Sequence, residues 1–523
     1  MMIKNYSHGS VRIAAARVKR ARRRAIRMPK IAILGFGREG KSVLKFLQRR
    51  RLTQINTRID ADKKPEIWIL DKNKNLNLTT SQAVDIKFQT GKNYLQNLDK
   101  FDIVFRSPGV PYNLPEAQKA VEKGVEISSA TALFFDIMRR PIQMTRRLIQ
   151  KKSPRPIIIG VTGTKGKGTT ATLLCKILKN AWPERSQRVY LAGNMGKPTL
   201  NIIPRLSALS PRKSAIIILE LSSFQLQDLN QSPNIAVVLD IFPDHLDSHK
   251  NFKEYLNAKA NIAKWQKKSD KIFYFSDNKY SKWLASKSRA KKIPVKSSIL
   301  GRSDLQKLKE IIQIPGKHNL KNAVMAATVA SSLGCQKDKI LKVVKNFRGN
   351  EHRLELVRKI MVRQAHHKNK SQIYFYNDSA STNPQTAAAA IKAFKEPKIL
   401  IAGGKDKGLN YSSLARALKN SNTKLAILFG ENKNKIAKAI LRIKNKELRI
   451  MKVKNLKQAV QAAYKTAKSL IHNSYFIIHI IFSPASASFD MFKDYEERGR
   501  EFKKIVKSLP LARQLLSELT RDS

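Results

Sequence analysis

The sequence is poor in cysteine, glycine and acid. Two cysteines in 523 residues, Cys175 and Cys335, cannot build a disulfide framework or a cysteine zinc site, which points to a reducing, cytoplasmic location. Cys175 shares a helical stripe with Ala171, Leu174 and Leu178 and reads as a packing residue. No apolar run approaches the roughly 18 residues that cross a bilayer, so no membrane partner is expected. Glycine numbers only 22. That is below the roughly 7% usual in globular proteins, yet 12 of the 22 fall in the segments 35–40, 160–168, 193–196 and 403–408. Placement this selective marks backbone that turns sharply or approaches a ligand. Against 102 Lys+Arg stand only 38 Asp+Glu, a net charge of +64. The basic residues are spread over nearly every segment without the aromatic interleaving of a base-stacking surface, so no specific nucleic-acid partner is expected.

The length is too great for one core and implies several domains. Residues 1–28 form a basic extension, with nine Lys/Arg and no acid in the first 27. It is read as disordered, or as preceding a true start at Met28. Residues 29–138 alternate strand and helix: Ile31 to Leu34, the turn Gly35-Phe-Gly37-Arg-Glu-Gly40, a helix through Leu47, then Ile67 to Asp71. A further strand, Ile103 to Phe105, runs into Arg106-Ser107-Pro108-Gly109. This is a Rossmann-like half with an acid ending its second strand, where a ribose or base would lie.

Residues 139–347 open with a linker over 139–156 and continue as a β-α alternation with strands at Ala215 to Leu221, Ile235 to Leu239 and Lys271 to Phe275, implying a mainly parallel sheet. Residues 348–523 restart the pattern with strands Ile373 to Tyr376, Lys398 to Ala402, Lys424 to Phe429 and Phe476 to Phe482. Lys359 to Ser371 reads as a hairpin loop, and its His366-His367 pair is assigned no function. The fold expected is α/β in three domains: Rossmann-like, then a central P-loop-type ATPase unit with a mainly parallel sheet, then Rossmann-like again.

The chemistry concentrates after Ile157-Ile158-Ile159, in Gly160-Val-Thr-Gly163-Thr164-Lys165-Gly166-Lys167-Gly168-Thr169-Thr170. Strand, glycine-rich loop and helix in that order make a phosphate cradle, in which backbone N–H groups and the helix start converge on anionic oxygens and Lys167 adds a full charge. Glu220 ends an apolar strand in Leu219-Glu220-Leu221-Ser222-Ser223 and suits a magnesium ion beside the phosphates, since a buried acid needs a partner or a metal. The next strand ends in Asp240-Ile-Phe-Pro-Asp244-His245-Leu-Asp247, so His245 is read as a site residue.

The order of these motifs, over about Pro29 to Leu509, resembles the Mur ligase family of ATP-dependent amide-bond-forming enzymes, most closely its D-glutamate-adding branch. The resemblance implies an acid:D-amino-acid ligase that joins D-glutamate to UDP-N-acetylmuramoyl-L-alanine in peptidoglycan precursor synthesis, acting as a monomer with ATP and two magnesium ions. It makes Gly163 to Lys167 the ATP loop and Glu220 and His245 metal-site residues. Lys259, in Tyr255-Leu-Asn-Ala258-Lys259, becomes a carbamylated lysine supporting the second metal; in so lysine-rich a chain its residue type alone suggests a solvated surface. Asn319 and Asn322 would contact adenine, Arg353 phosphate, and Asp378 ribose or metal. Gly35, Gly37, Gly40, Asp71, Ser107, Gly109 and Asn194 would form the UDP-sugar site. Thr382, Lys407, Ser488 and Tyr495 would hold D-glutamate in a third domain acting as a lid.

Three positions depart from the family pattern. Gly168 replaces the Ser/Thr after the loop lysine, leaving the first metal to Thr169 or to water. Ala380 stands where a lysine is common, and Tyr495 where the aromatic usually lacks a hydroxyl. Rival readings are a sibling ligase or a folylpolyglutamate-type ligase with another amino acid, and, from charge alone, a nucleic-acid-binding NTPase.

Overall fold

The computed structural model describes residues 29–49, 65–76, 86–139, 155–194, 197–207, 215–243, 249–296, 302–314, 316–362, 371–443, 447–473 and 477–510. The basic extension, most of the linker, the His366-His367 pair and His245 lie outside the described residues.

Three α/β sheets follow one another along the chain. The first contains β1 (Lys30–Leu34), β2 (Glu66–Asp71), β3 (Ile86–Thr90), β4 (Ile103–Arg106) and β5 (Glu126–Ser128), in the order β3-β2-β1-β4-β5 with every pairing parallel. Helix α1 (Arg38–Arg49) starts directly after the Gly35–Gly37 turn and buries Val43, Leu44, Phe46 and Leu47 along one stripe.

The second sheet contains β6 (Ile157–Thr162), β7 (Val189–Gly193), β8 (Ile216–Glu220), β9 (Ile235–Val238), β10 (Lys271–Phe275) and β11 (Lys291–Val295), also parallel throughout, in the order β11-β10-β9-β6-β8-β7. The apolar runs of β6, β8 and β9 are buried on both faces, as a helix-covered parallel sheet requires. Three helices matter to the site. They are α2 (Lys167–Ala181) after β6, the single turn α3 (Ser223–Leu226) after β8, and α4 (Phe252–Lys264). A capping box starts α3: Ser222 Oγ accepts from the Gln225 backbone N–H and the Gln225 side chain accepts from the Ser222 backbone N–H. Helix α5 (Lys317–Ser332) follows.

The third sheet contains β12 (Glu355–Val362), β13 (Ser371–Asn377), β14 (Lys398–Gly403), β15 (Thr423–Phe429), β16 (Arg449–Lys452) and β17 (Ile477–Phe482), in the order β12-β13-β17-β14-β15-β16. Only β12 runs antiparallel, against β13. The reading of a loop from Lys359 is corrected here, since the strand continues to Val362. Helix α6 (Tyr495–Ser508) is capped by Asp494, whose side chain accepts from the Glu497 backbone N–H.

Contacts divide the chain into two compact units. The first takes in the chain to Leu305 together with Asn322–Ile340, and the second takes in Gln306–Lys321 and the chain from Leu341. In the first unit a single apolar cluster runs from Ile31, Ile33 and Phe134 to Ile217, Leu219 and Ile262, so the first two sheets share a core. In the second unit separate clusters cover the two faces of the third sheet. Among the described residues no helix is long and apolar enough to cross a membrane.

Candidate active site

Strands β6, β8 and β9 end side by side, and their carboxyl ends carry the loop, Glu220 and Asp240. Parallel sheets bind ligands there, because the connections diverge and the following helices start nearby. Gly166, at φ +82°, turns the chain into α2. A Cβ at Gly166 would run into the Asn322 side chain, so this glycine admits α5 to the loop. Asn319 and Asn322 lie three residues apart on α5 and share a face.

Two of the three predicted lysines of the first unit, Lys167 and Lys259, donate to this loop. Lys167 Nζ donates to the Gly163 and Thr164 carbonyls at 2.9 and 3.0 Å. Lys259 is only 1% exposed, which corrects the surface reading of its residue type. It stands on the inward face of α4, donates to the Gly163 carbonyl at 3.0 Å and approaches Thr162 Oγ1 at 3.4 Å. Its charge lies 4.7 Å from the Tyr255 ring centroid. Thr164 is fixed by the Tyr255 hydroxyl at 2.9 Å and donates its own hydroxyl to the Phe242 carbonyl. Lys165 is exposed and Thr169 half-buried. Thr170 is fully buried and its hydroxyl has no hydrogen-bond partner.

Glu220 is 4% exposed. One carboxylate oxygen accepts from Asn194 Nδ2 at 3.1 Å, and the other is buried with no partner. An orphaned carboxylate oxygen is costly unless a cation takes it. Among the described residues no group of three or more His, Cys, Asp and Glu side chains converges on a metal position. Magnesium needs no such cage: it keeps several waters and binds through one or two carboxylates plus substrate phosphates. The donor set therefore fits magnesium beside a nucleotide.

A cleft of about 480 Å³ lies on the first unit and is lined by Gly35, Gly37, Asp71, Ser107, Gly109 and Asn194, which are six of the seven residues expected to hold UDP-sugar. Asp71 uses its carboxylate to accept from the Phe36 and Asn73 backbone N–H groups at 2.6 and 2.8 Å, which fixes the turn over the α1 start. Gly40 is the exception. It is buried, and a Cβ there would strike the Gly35 carbonyl, so it permits helix-to-turn packing and does not line the cleft. Sequence reasoning missed Glu39 and Gln225, which also line it. It missed the buried Arg106–Asp228 ion pair below it as well. It likewise missed His249, buried against Phe224 with its Nε2 3.0 Å from Ser223 Oγ. Neither polarity nor spacing distinguishes these residues from ordinary surface positions.

On the second unit the residues expected to hold amino acid gather at the carboxyl edge of β13, β14 and β17. Thr382 and Ser488 lie in the segments after β13 and β17, and Lys407 in the segment after β14, with its ammonium 5.2 Å from the Phe489 ring centroid. Tyr495 begins α6 and its ring meets His352 edge-on. The fully buried Arg498, without an assigned role in the sequence reading, ties these segments together by donating to the carbonyls of Ser379, Ser486 and Ala487 at 2.9–3.0 Å. His352 adopts φ +60° in the turn before β12. Burial pushes its imidazole below the usual range, and Nδ1 accepts from Asn377 Nδ2 at 2.9 Å. Beside Arg353, Asp378 accepts from the Ser483 hydroxyl at 2.7 Å and the Leu354 N–H at 3.2 Å.

Burial raises the Asp378 carboxyl to about 7, overriding those hydrogen bonds and the nearby Arg353 charge. A folded-state pKa above the ordinary 3.8 stabilises the fold below the unfolded value, and that contribution is lost as pH rises through the folded one. The melting temperature of Asp378→Asn, relative to the unsubstituted protein, should therefore rise between about pH 4 and pH 7.5 by several degrees. Scanning calorimetry across that range checks it, and a pH-independent difference would contradict the assignment.

Three family profiles match in order along the chain. They are the Mur ligase MurD-like N-terminal domain over residues 29–129, the Mur ligase middle domain over 161–330 and the Mur ligase glutamate ligase domain over 352–471. The chain is similar to the UDP-N-acetylmuramoylalanine--D-glutamate ligase of Acetivibrio thermocellus, with 35% identity over 93% of this chain and 98% of that protein. It is also similar to the enzymes of that name from Ruminiclostridium cellulolyticum, at 32%, and Lactobacillus delbrueckii subsp. bulgaricus, at 33%, each over 92% of this chain and 97% of the relative. With likeness running along nearly the whole chain, and with a phosphate cradle, an orphaned acid and a Rossmann-like cleft in one unit, the chain belongs to the Mur ligase family, with an amino-terminal domain of the MurD-like kind.

Proposed function

We propose that the protein is an ATP-dependent ligase that joins D-glutamate to UDP-N-acetylmuramoyl-L-alanine on the cytoplasmic route to peptidoglycan. The observation that carries this reading is Glu220, a buried acid with one free oxygen beside a loop into which two lysines donate. The full-length relatives, all bearing the D-glutamate ligase name, supply the substrates. The sugar nucleotide would enter the cleft with its diphosphate at the start of α1, where the positive end of the helix favours anions.

A free carboxylate resists amine attack, because its charge repels the nucleophile and oxide is a very poor leaving group. ATP removes both obstacles. The L-alanyl carboxylate oxygen attacks the γ-phosphorus while the bond to the β-bridging oxygen breaks, which yields an acyl phosphate and ADP. The uncharged amine of D-glutamate then adds to the acyl carbon, and the tetrahedral intermediate collapses to an amide with loss of phosphate and a proton. Lys167 and the N–H groups from Gly163 to Thr170 would hold the β- and γ-phosphates. By the family resemblance Asn319 and Asn322 would contact adenine, Arg353 phosphate, and Asp378 ribose or metal. Glu220, His245, Thr169 and Lys259, the last as its carbamate, would hold magnesium, which supplies charge neutralisation at the phosphates. Thr382, Lys407, Ser488 and Tyr495 would hold D-glutamate, with the Lys407 ammonium suited to a carboxylate. No side chain is needed as a covalent nucleophile.

Mixing purified protein with ATP, magnesium, UDP-N-acetylmuramoyl-L-alanine and D-glutamate should give the D-glutamyl product, ADP and phosphate in equal amounts by mass spectrometry and phosphate assay. ADP formed without the amide, or formed equally well with RNA in place of the sugar nucleotide, would count against the reading.

A further inference from the structure

Two contacts cross from the walls of the cleft to one short segment. On one wall Glu39, in the first turn of α1, accepts from Gln225 Nε2 at 2.9 Å. On the other wall Arg106, which ends β4 and opens the Ser107–Val110 turn, forms a forked pair with Asp228, at 3.3 Å from Nε and 2.7 Å from Nη2. Arg106 also donates to the Val110 carbonyl in its own turn and to the Phe224 carbonyl at 2.9 Å. Gln225 and Phe224 belong to α3, Asp228 lies two residues beyond it, and α3 begins three residues after Glu220.

The same segment is pinned on its other side. His249 meets Ser223 and stacks on Phe224, and the Tyr255 ring, edge-on to His249, carries the hydroxyl that fixes Thr164 in the phosphate loop. Asn194 is a third tie, lining the cleft while donating to Glu220.

The Arg106 and Asp228 side chains are each 1% exposed. A buried ion pair seldom adds net stability over apolar side chains of the same volume, because desolvating both charges offsets their attraction. What such a pair does supply is fixed geometry, since removing either partner strands the other.

We propose that Glu39 and Arg106 are positioning residues that tie the two walls of the sugar-nucleotide cleft to α3, and thereby set where Glu220 stands when the cleft is filled. This rests on the reading of the cleft as the UDP-N-acetylmuramoyl-L-alanine site. Substrate seated between the α1 start and the Ser107–Val110 turn presses on both attachments at once. The carboxylate to be phosphorylated and the acid beside the nucleotide are then aligned through a few rigid contacts.

The test compares wild type with Glu39→Leu, Glu39→Gln and Asp228→Asn, measuring kcat and KM by phosphate release and the Kd for UDP-N-acetylmuramoyl-L-alanine by calorimetry. Glu39→Leu should lose about tenfold or more in kcat, because small misplacements of reacting groups are expensive in rate. Its KM and Kd should stay within about threefold, the pattern of lost alignment as opposed to lost binding. Glu39→Gln keeps an oxygen able to accept from Gln225 and should recover most of kcat. Asp228→Asn should resemble Glu39→Leu; if it does not fold, the two Glu39 variants decide alone. A rise in KM and Kd with kcat unchanged, wild-type kinetics in Glu39→Leu, or a loss in Glu39→Gln equal to that in Glu39→Leu would each overturn the proposal. Failure of the underlying reading would show separately, as wild type that neither binds UDP-N-acetylmuramoyl-L-alanine nor releases phosphate with it.

Discussion

Glu220→Gln is expected to lower kcat for phosphate release by about 10²–10³-fold, the scale seen when one transition-state charge stabiliser is removed. The amide matches the carboxylate in shape and keeps an oxygen for Asn194, so the protein should fold and bind sugar nucleotide as before. The change falls on the second oxygen, buried and without a partner, which would become an N–H donor unable to ligate a cation. Added magnesium should therefore recover little activity. Near wild-type turnover in this variant would remove Glu220 from the chemistry and leave it as a structural acid held by Asn194.

Lys259→Ala should cripple turnover to a similar degree, and a small added carboxylate such as formate or acetate should partly restore it. Two accounts of Lys259 compete. As an ammonium it pins the loop by donating to the Gly163 carbonyl and approaching Thr162, and losing it would loosen the loop in a way that no added anion repairs. As the product of carbon dioxide addition it carries a carbamate, whose negative charge a diffusible carboxylate can imitate. Rescue, together with an intact-mass increase of one carbon dioxide in bicarbonate-grown wild type, would establish the second account. Full activity in Lys259→Ala would reject both.

The contrast between the Lys259 reading and its position shows what a sequence can carry. Among 102 Lys+Arg residues one buried lysine has no compositional mark. Its burial follows from α4 packing against the loop through Tyr255, a tertiary fact. The strands divide in the same way. Every strand interior to a sheet was legible as an apolar run, because it is covered on both faces. The six not legible, β3, β5, β7, β11, β12 and β16, are the sheet edges. Most are short, polar or broken, such as Lys291–Val295 with two lysines and a proline, as suits strands with one side unpaired, whereas β7, Val-Tyr-Leu-Ala-Gly, is apolar and was missed all the same.

The candidate site was legible where function demands a local pattern: the loop, the acid ending β8 and the glycine turn before α1. Glu39, Arg106, Asp228 and Arg498 were not, since their roles arise only when distant segments meet. Asp228 illustrates the limit. In sequence it is one acid after a polar run, yet in the fold it is a buried partner of Arg106 whose carboxyl is pushed up by burial and drawn back by that guanidinium.

The central claim is that ATP is used to activate the carboxylate of UDP-N-acetylmuramoyl-L-alanine for D-glutamate. It is tested most directly by phosphate release with that sugar nucleotide held at saturation while the amino acid is varied among D-glutamate, L-glutamate, D-aspartate, L-lysine and meso-diaminopimelate. The account predicts turnover with D-glutamate that exceeds every other member of the panel. Preference for L-lysine or meso-diaminopimelate would make the protein a sibling ligase, and release indifferent to all five would contradict the account outright.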